Sequence, residues 1–332
     1  MARKILITGS EGQLGVALQK KIRDKFDIYP TSKIISESGV SRGSEILDIT
    51  ERSDVETIIN EINPDIIINC AAYTDVDGSE RNKEQAHMVN VVGLQNLIYA
   101  SDHHTSFIQI SSDYVFDGDT GPYSVDDPTY PINYYGKTKL EAENILRGSR
   151  RKYLIIRTNV LYSEDLTFKT NFFAWVYKSL TQNKTISVVN DQISNPTYVS
   201  HLVETIFLCI ILNTEGIYHY GSDDFLSRYE FAMTIAEVFG FDKSLISPID
   251  TKSLFKKLKS YNAKRPLNSG LKVDKIEREL NISTYSSKYS LKKINPFLVS
   301  KYLSFSYIIN FLFFNSSNLL LILKTSLISR LF

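Results

Sequence analysis

Residues 4–15 read KILITGSEGQLG, and this stretch decides the fold. Lys4–Thr8 is an apolar run typical of a buried strand, and glycines follow it at positions 9, 12 and 15. Such glycines permit a tight turn into a helix and let the backbone approach a pyrophosphate, which binds the exposed N–H groups at the helix start. Because the turn stands between a strand and an amphipathic helix, it favours dinucleotide binding over a purely structural role. The candidate contacts are Gly9, Ser10, Gly12, Gln13, Leu14 and Gly15.

Downstream, apolar runs alternate with helical patterns. Strands are predicted at Asp27–Thr31, Asp65–Ala72, Ser106–Ile110, Tyr153–Arg157 and Ile217–Tyr220. Helices are predicted from the glycine turn to about Asp24 and at Asp54–Asn63, Glu84–Ala100, Tyr134–Arg147, Asn171–Leu180 and Ser227–Phe239. The near-continuous apolar character of runs such as Asp65–Ala72 is typical of parallel strands that are buried on both faces. The alternation therefore predicts an α/β protein with a Rossmann-type, doubly wound parallel sheet.

Composition and charge exclude several classes of protein. The 332 residues are 43% hydrophobic and 23% charged, which is ordinary for a globular chain. The formal net charge is +1 and there is no basic run, so nucleic-acid binding is not expected. Cys70 and Cys209 stand in apolar contexts and are expected to be free thiols in a reducing cytosol. The five histidines are scattered without ligand spacing, so no metal site is predicted. The first apolar strand is too short for a signal peptide, which favours a cytoplasmic location.

The second strand indicates which dinucleotide is bound. An acid at its end would accept from the adenosine ribose 2′-hydroxyl of NAD, whereas basic and hydroxyl residues suit a 2′-phosphate. The strand runs into Thr31-Ser32-Lys33, with no acid before Glu37. This pattern predicts NADPH as the cofactor through Ser32 and Lys33, with NADH as the open alternative. Further cofactor contacts are predicted at Asp48 and Ile49 near the adenine, and at Ala71, Ala72, Tyr73 and Thr74 at the next strand end.

Chemistry is expected at the end of the fourth strand. Ile110-Ser111-Ser112 places hydroxyls at the carboxyl end of a strand, where ligands bind in open α/β sheets. Tyr135 and Lys139 are spaced four residues apart on the helix that follows, so they share one helical face. Ser112, Tyr135 and Lys139 are therefore expected to converge.

Seven segments together resemble a known family, the extended short-chain dehydrogenase/reductases, and in particular the dTDP-4-dehydrorhamnose reductase branch. The resemblance covers roughly residues 3–295. The segments are GSEGQLG, CAAYTDVDGSE, SSDYVFDG, YYGKTKLEAE, RTNVLYS, VVNDQISNPTY and RPLNSGLKVDK. Each is weak alone, but the set in this order is specific. The resemblance implies NADPH-dependent reduction of a nucleotide-linked 4-keto-6-deoxy sugar, for nucleotide-sugar and polysaccharide synthesis.

The resemblance also implies roles for individual residues. Ser112, Tyr135 and Lys139 would be catalytic, with Tyr135 as proton donor. Lys139 would lower the pKa of Tyr135 and hold the nicotinamide ribose. Candidate substrate contacts are Asp113, Tyr114, Asp191, Gln192 and Arg265. Two positions depart from the family pattern, and both bear on the identity of the sugar: Val160 stands where a tryptophan is frequent, and Ser194 where glycine is usual.

Three alternative functions bear comparison, and two of them remain open. Sugar-nucleotide dehydratases use an Asp-Glu pair after the strand-end hydroxyl, but here Ser112 precedes Asp113-Tyr114, which disfavours dehydration. An epimerase of the same fold is possible. The other alternative is a non-catalytic NADP-binding subunit, similar to the regulatory β subunit of methionine adenosyltransferase. The partner expected for an enzyme is a nucleotide-sugar substrate, and a homodimer is possible.

The expected domain organisation has three parts. Residues 1–160 would form the NADP-binding domain, to which residues near 190–215 return, and residues 161–295 would form mainly a smaller, substrate-binding α/β part. Residues 296–332 are an atypical tail rich in Phe, Leu, Ile, Ser and Asn. Within it, Tyr302–Leu323 carries no charge and reaches the length of a membrane span, but its middle holds Asn310 and Asn315–Asn318. A peripheral tail is therefore favoured over a spanning one.

Overall fold

A computed structural model describes residues 2–34, 44–168, 171–258 and 263–295. Glu37 and the predicted tail at 296–332 lie outside the described residues. The strands are β1 Lys4–Thr8, β2 Asp27–Ser32, β3 Glu45–Ile46, β4 Ile66–Asn69, β5 Ser106–Ser112, β6 Tyr153–Thr158, β7 Leu161–Tyr162, β8 Ile186–Val189, β9 Ile193–Ser194, β10 Thr197–Tyr198, β11 Gly216–His219, β12 Leu226–Ser227 and β13 Ile246–Ile249.

The main sheet has seven parallel strands in the order β11-β6-β5-β4-β1-β2-β3. Strand β1 lies between β2 and β4, so the chain winds outward from it in both directions. This arrangement confirms the predicted doubly wound α/β fold. The strand order reverses between β1 and β4, and the crevice at the carboxyl ends of those two strands is where such sheets bind ligands.

The helices lie on both faces of the sheet. They are α1 Gln13–Ile22, α2 Arg52–Ile62, α3 Val76–Arg81, α4 Lys83–His87, α5 Gly93–Ala100, α6 Tyr134–Gly148, α7 Phe172–Thr181, α8 Val199–Leu212, α9 Arg228–Phe239, α10 Thr251–Leu258 and α11 Asp274–Leu280. Residues 287–295 are also helical. The single helix predicted at Glu84–Ala100 is interrupted by a π turn at Met88–Val92, which joins α4 to α5.

Alternate residues of the central strands enter different cores, because side chains along a strand alternate between its faces. Ile5 and Ile7 pack with Leu18 of α1 and Leu202 of α8 on one face. Leu6 and Ile67 pack on the other face with residues of α2, α5 and α6. Both faces of the strands are apolar, which is why the sequence shows continuous hydrophobic runs rather than alternation.

A separate core lies in the C-terminal half. Its fully buried members include Tyr162, Phe173 and Phe231, together with Leu291 and Ile294 near the end of the described chain. Strands β8 and β13 pair in parallel beside it. The domain boundaries proposed from the sequence stay a prediction.

Two properties of the described ranges bear on function. No helix there is long and apolar enough to cross a membrane. Nor do those ranges contain a group of three or more His, Cys, Asp or Glu side chains that could hold a metal ion.

Candidate active site

One elongated cavity of about 580 Å³ runs along the carboxyl edge of the sheet, past the point where the strand order reverses. Most of the residues predicted from the sequence line it. They are Gly9, Gly12, Gln13, Leu14, Gly15, Ser32, Lys33, Asp48, Ile49, Ala71, Ala72, Tyr73, Thr74, Ser112, Asp113, Tyr114, Tyr135 and Lys139. The structure thus brings the glycine turn, the end of β2 and the Ser112–Tyr135–Lys139 set to one cavity.

The glycine turn brings backbone close to the cavity floor. Gly9 has φ +64°, and a Cβ there would lie 2.6 Å from the amide nitrogen of Ala71. Gly12 precedes α1 and provides no side-chain cap, so the first N–H groups of the helix lack a capping acceptor from it. Unsatisfied N–H groups at the positive end of a helix attract anions, which fits a cofactor diphosphate. Ser10 is predicted from the sequence to contact the cofactor, but it is fully buried and its hydroxyl shares a hydrogen bond with the hydroxyl of Ser44.

At the far end of the cavity, Lys33 and Asp48 form an ion pair with Nζ and Oδ2 2.5 Å apart. Burial opposes the ionisation of Asp48, but hydrogen bonds from Lys33 and Thr50 outweigh it and lower the pKa of Asp48. The Lys33 side chain remains 63% exposed, so its ammonium group is accessible to a ligand. This end of the cavity therefore offers a hydroxyl at Ser32 and a positive charge at Lys33.

Helix α6 meets the turn that follows strand β5, at Asp113–Val115, through a glycine contact. Asn133 caps α6 and accepts from the N–H of Gly136 at 2.8 Å. A Cβ at Gly136 would lie 2.1 Å from the carbonyl oxygen of Tyr114, so only glycine permits the observed approach. This close packing places Tyr135 near Ser112, whose hydroxyl favours the phenolate form of Tyr135.

The electrostatics of Tyr135 differ from the expectation. Burial raises its pKa above the ordinary value for tyrosine, and the nearby Asp113 raises it further. The Lys139 ammonium group donates instead to the Ile110 carbonyl at 2.7 Å. The prediction that Lys139 lowers the pKa of Tyr135 is therefore wrong for this structure. Burial lowers the pKa of Lys139 itself to about 8.

Asp113 lies at the centre of the polar contacts at the site. Its carboxylate accepts from Ser112 Oγ at 2.9 Å and from Ser269 Oγ at 2.5 Å. Burial nevertheless raises its pKa to about 6, because these two hydrogen bonds compensate only in part. Asp113 can therefore change its protonation state near neutral pH.

Sequence reasoning missed Arg228, which lines the same cavity. Its guanidinium group lies over the Phe172 ring, 5.5 Å from the centroid, and interacts electrostatically with Tyr114. The Tyr114 ring in turn contacts Tyr135 edge to face at 5.8 Å. Within the described residues, no carboxylate forms an ion pair with Arg228. A half-buried guanidinium in this position is suited to an anionic or hydroxyl-rich ligand.

The other predicted substrate contacts lie outside the lining of the cavity. Asp191 accepts from the N–H and hydroxyl of Thr251, and Gln192 donates to the same hydroxyl at 2.9 Å. The Gln192 carbonyl accepts from the N–H of Arg228 at 3.1 Å. Arg265 pairs with Asp77 at 2.9 Å. Substrate contact by Asp191, Gln192 and Arg265 stays a prediction.

Val160, which departs from the family pattern, adopts an unusual backbone conformation. It has φ +41°, which is rare for a β-branched residue, and it lines the cavity. Backbone strain of this kind costs about 1–3 kcal/mol and is concentrated at ligand sites. The other departure, Ser194, is buried, and its hydroxyl has no partner among the described residues.

Comparison with known proteins agrees with this geometry. The family described as RmlD substrate binding domain matches residues 3–297. A dTDP-4-dehydrorhamnose reductase from Aggregatibacter actinomycetemcomitans is 34% identical over 310 residues, which cover 90% of this chain and 99% of that protein. The crystal structure of dTDP-4-dehydrorhamnose reductase from Bacillus anthracis in complex with NADP is similar with a TM-score of 0.79 and 32% identity, over 89% of this chain and 99% of that chain.

A relative of a different kind is also similar. Methionine adenosyltransferase 2 subunit beta from Xenopus laevis is 29% identical over 290 residues, which cover 83% of this chain and 82% of that protein. The family match spans nearly all of the described residues, and the reductase relatives agree with it in sequence and in fold. The chain therefore belongs to the RmlD substrate-binding domain family.

Proposed function

We propose that the protein reduces a nucleotide-linked 4-keto-6-deoxy sugar with NADPH, as a dTDP-4-dehydrorhamnose reductase does. The observation that carries this proposal is the presence of Ser112, Tyr135 and Lys139 in one cavity with the glycine turn. The reductase relatives, including one solved with NADP, support it. The product would serve nucleotide-sugar and cell-surface polysaccharide synthesis.

The residues of the cavity fit NADPH along its length. Gly9 lets the turn pack closely on Ala71, and the start of α1 supplies N–H donors for a diphosphate. Ser32 and Lys33 would hold the 2′-phosphate, and Lys139 the nicotinamide ribose. When bound, NADPH supplies a hydride to the keto carbon.

The protein's own groups then manage the charge on the keto oxygen. Tyr135 gives its phenolic proton to this oxygen as negative charge develops there. Ser112 donates a hydrogen bond to the same atom, exchanging its present acceptor Asp113 for the substrate. Because burial and Asp113 keep Tyr135 protonated well above neutral pH, the residue is poised as an acid. Arg228 and Tyr114, which line the same cavity, bind the sugar nucleotide.

The decisive experiment measures NADPH oxidation against a panel of nucleotide-linked 4-keto sugars. Turnover with dTDP-4-keto-6-deoxy sugars, with formation of the hydroxy sugar, is the expected result. Binding of NADPH without turnover on any member of the panel would favour the non-catalytic alternative, which the methionine adenosyltransferase relative keeps open. Interconversion of sugar stereoisomers without net oxidation of NADPH would indicate an epimerase.

Two further assignments belong to the proposal. The cytoplasm is the proposed location, and the free thiols Cys70 and Cys209 suit its reducing conditions. The possible homodimer is tested by light scattering of the purified chain at several concentrations.

A further inference from the structure

A buried ion pair lies directly behind the candidate catalytic residues. Glu143 is fully buried and Arg157 is only 3% exposed. The two groups bond bidentately, with Arg157 Nη2 2.7 Å from Glu143 Oε2 and Nε 3.0 Å from Oε1. Ser111 donates to the same carboxylate at 2.5 Å. No step of the proposed reaction uses this pair.

The contacts of Glu143 join the elements that carry the catalytic groups. Ser111 belongs to β5 and immediately precedes Ser112, Glu143 belongs to α6 with Tyr135, and Arg157 belongs to β6. A shift of α6 relative to β5 would break these hydrogen bonds in the buried interior, where an unpaired charge is very costly. The carboxylate therefore fixes the separation between Ser112 and Tyr135.

Glu143 also faces Lys139. The two residues are four positions apart on α6, so they occupy adjacent turns of the same buried face. Glu143 and Cys70 are the groups that act on Lys139 in the described part of the chain. Burial raises the pKa of Cys70 to about 12, so this thiol is neutral at working pH. Asp113, the other nearby acid, acts on Tyr135 rather than on Lys139.

We propose that Glu143 is a positioning residue that acts through Lys139: its carboxylate locks α6 onto β5 and β6 and supplies the negative charge that faces the Lys139 ammonium group. The role in reduction rests on the proposed function, but the charge relation to Lys139 does not. Lys139 has a pKa of about 8 and is half charged at pH 8. A fall of about one unit would leave only about a tenth of it charged at that pH.

The test is a titration of Lys139 by NMR of lysine labelled with ¹³C at Cε, assigned with a Lys139→Met variant. In E143Q the pKa of Lys139 is expected to fall by about one unit, because the opposite charge is lost. The alkaline limb of the kcat profile should move to lower pH by the same amount. E143D retains the charge and should titrate like the wild type. E141Q is the matched control, since Glu141 lies on the exposed side of α6 beside His87.

A second variant covers the case in which E143Q fails to fold around the unpaired Arg157. E143M/R157M removes both charges at similar volume, a replacement that buried pairs often tolerate without loss of stability. Its Lys139 should titrate at lower pH than in the wild type. An unchanged Lys139 pKa in whichever of the two variants folds overturns the proposal. Failure of the wild type to reduce any keto sugar would instead count against the proposed function, while the titration would still decide the role of Glu143.

Discussion

Tyr135 is the residue whose hydroxyl the proposed chemistry requires. Replacing it with phenylalanine removes the proton but keeps the ring that packs against Tyr114. Since general acid catalysis contributes about 10²–10⁴-fold, Tyr135→Phe should lower kcat by about that factor. The Kd for NADPH should change little, because the phenolic proton is not needed to bind the cofactor.

The neighbouring tyrosine provides the control for this measurement. Tyr134 precedes Tyr135 on α6 and lies beside the Lys83 ammonium group, 5.4 Å from its ring centroid, outside the cavity lining. Tyr134→Phe should retain kcat within about twofold, because Tyr134 does not line the cavity and the change removes only a hydroxyl. Near-wild-type turnover in Tyr135→Phe would remove this residue from the proton-donor role.

Asp113 gives a prediction about stability and pH. Burial raises its folded pKa from 3.8 to about 6, so the native protein binds the proton more tightly than the unfolded chain does. The wild type therefore loses stability as pH rises through 4 to 6, by at most about 3 kcal/mol for a shift of this size. Asp113→Asn carries no such charge. The free energy of unfolding of the variant, relative to wild type, should increase by about 1–3 kcal/mol between pH 4 and pH 8.

Urea unfolding at both pH values measures this difference. The control is Asp102→Asn, which removes an acid whose side chain is 66% exposed and should show almost no pH-dependent difference. The raised pKa of Asp113 would be contradicted if the free energies of unfolding of Asp113→Asn and the wild type differed by the same amount at pH 4 and at pH 8.

At the scale of single elements, the contact of α6 with the Tyr114 backbone sets the geometry of the site. Gly136→Ala would place a methyl group 2.1 Å from the Tyr114 carbonyl oxygen and must push the helix away. Overpacking of this kind costs about 1–3 kcal/mol. We also expect kcat to fall about 100-fold, because a displacement of 1 Å at a catalytic site has that effect.

Helix α6 contains its own control for this substitution. Gly148 ends the helix, and nothing lies within 4 Å of a Cβ placed there. Gly148→Ala should therefore leave kcat unchanged and leave stability equal or higher by up to about 1 kcal/mol. Equal effects of the two substitutions on kcat would show that Gly136 has no special role in placing Tyr135.

The end of β2 determines the predicted choice of cofactor. Lys33→Glu replaces the exposed ammonium group beside Asp48 with a second carboxylate, which repels a 2′-phosphate. Charged hydrogen bonds contribute about 1.5–3 kcal/mol, so the preference for NADPH over NADH should fall by about 10- to 100-fold. The ratio of kcat/KM for the two cofactors measures it. Lys25 lies two residues before the start of β2, at the end of the strand opposite Lys33. Lys25→Glu makes the same charge change there and should not alter the ratio.

Elements and site residues differ in how far their own sequence reveals them. The sheet is predictable because each central strand, such as Ile66–Asn69, is buried on both faces and therefore apolar throughout. Tyr135 and Lys139 are predictable because helical spacing fixes their common face. The place of Arg228 in the cavity is not predictable in this way. Arg228 reaches the cavity because Ser227 pairs with Ile193, and these two residues are far apart in the chain. The direction of the Lys139 ammonium group depends on the Ile110 carbonyl, which no residue pattern encodes.

At the scale of the whole molecule, two cores support one cavity edge. The core that contains Ile5, Ile7 and Leu18 supports β1 and α1, which flank the glycine turn. The core around Phe173 and Phe231 supports α9, whose first residue is Arg228. Leu291 and Ile294 belong to this second core and are fully buried. The described chain therefore includes structural residues almost to its end at Asn295.

Two truncated chains test where the folded protein ends. A chain that stops at Asn295 keeps every core cluster of the described residues and should retain kcat and a Tm within a few degrees of the full chain. It should also be more soluble, because it lacks the apolar segment Tyr302–Leu323.

A chain that stops at Ser286 loses Leu291 and Ile294, and each buried aliphatic side chain contributes about 2–5 kcal/mol. Its Tm should fall by roughly 10 °C or more. A comparable fall in the Asn295 chain would mean that the tail belongs to the fold, and vesicle binding by the full chain alone would mean that it is a membrane anchor.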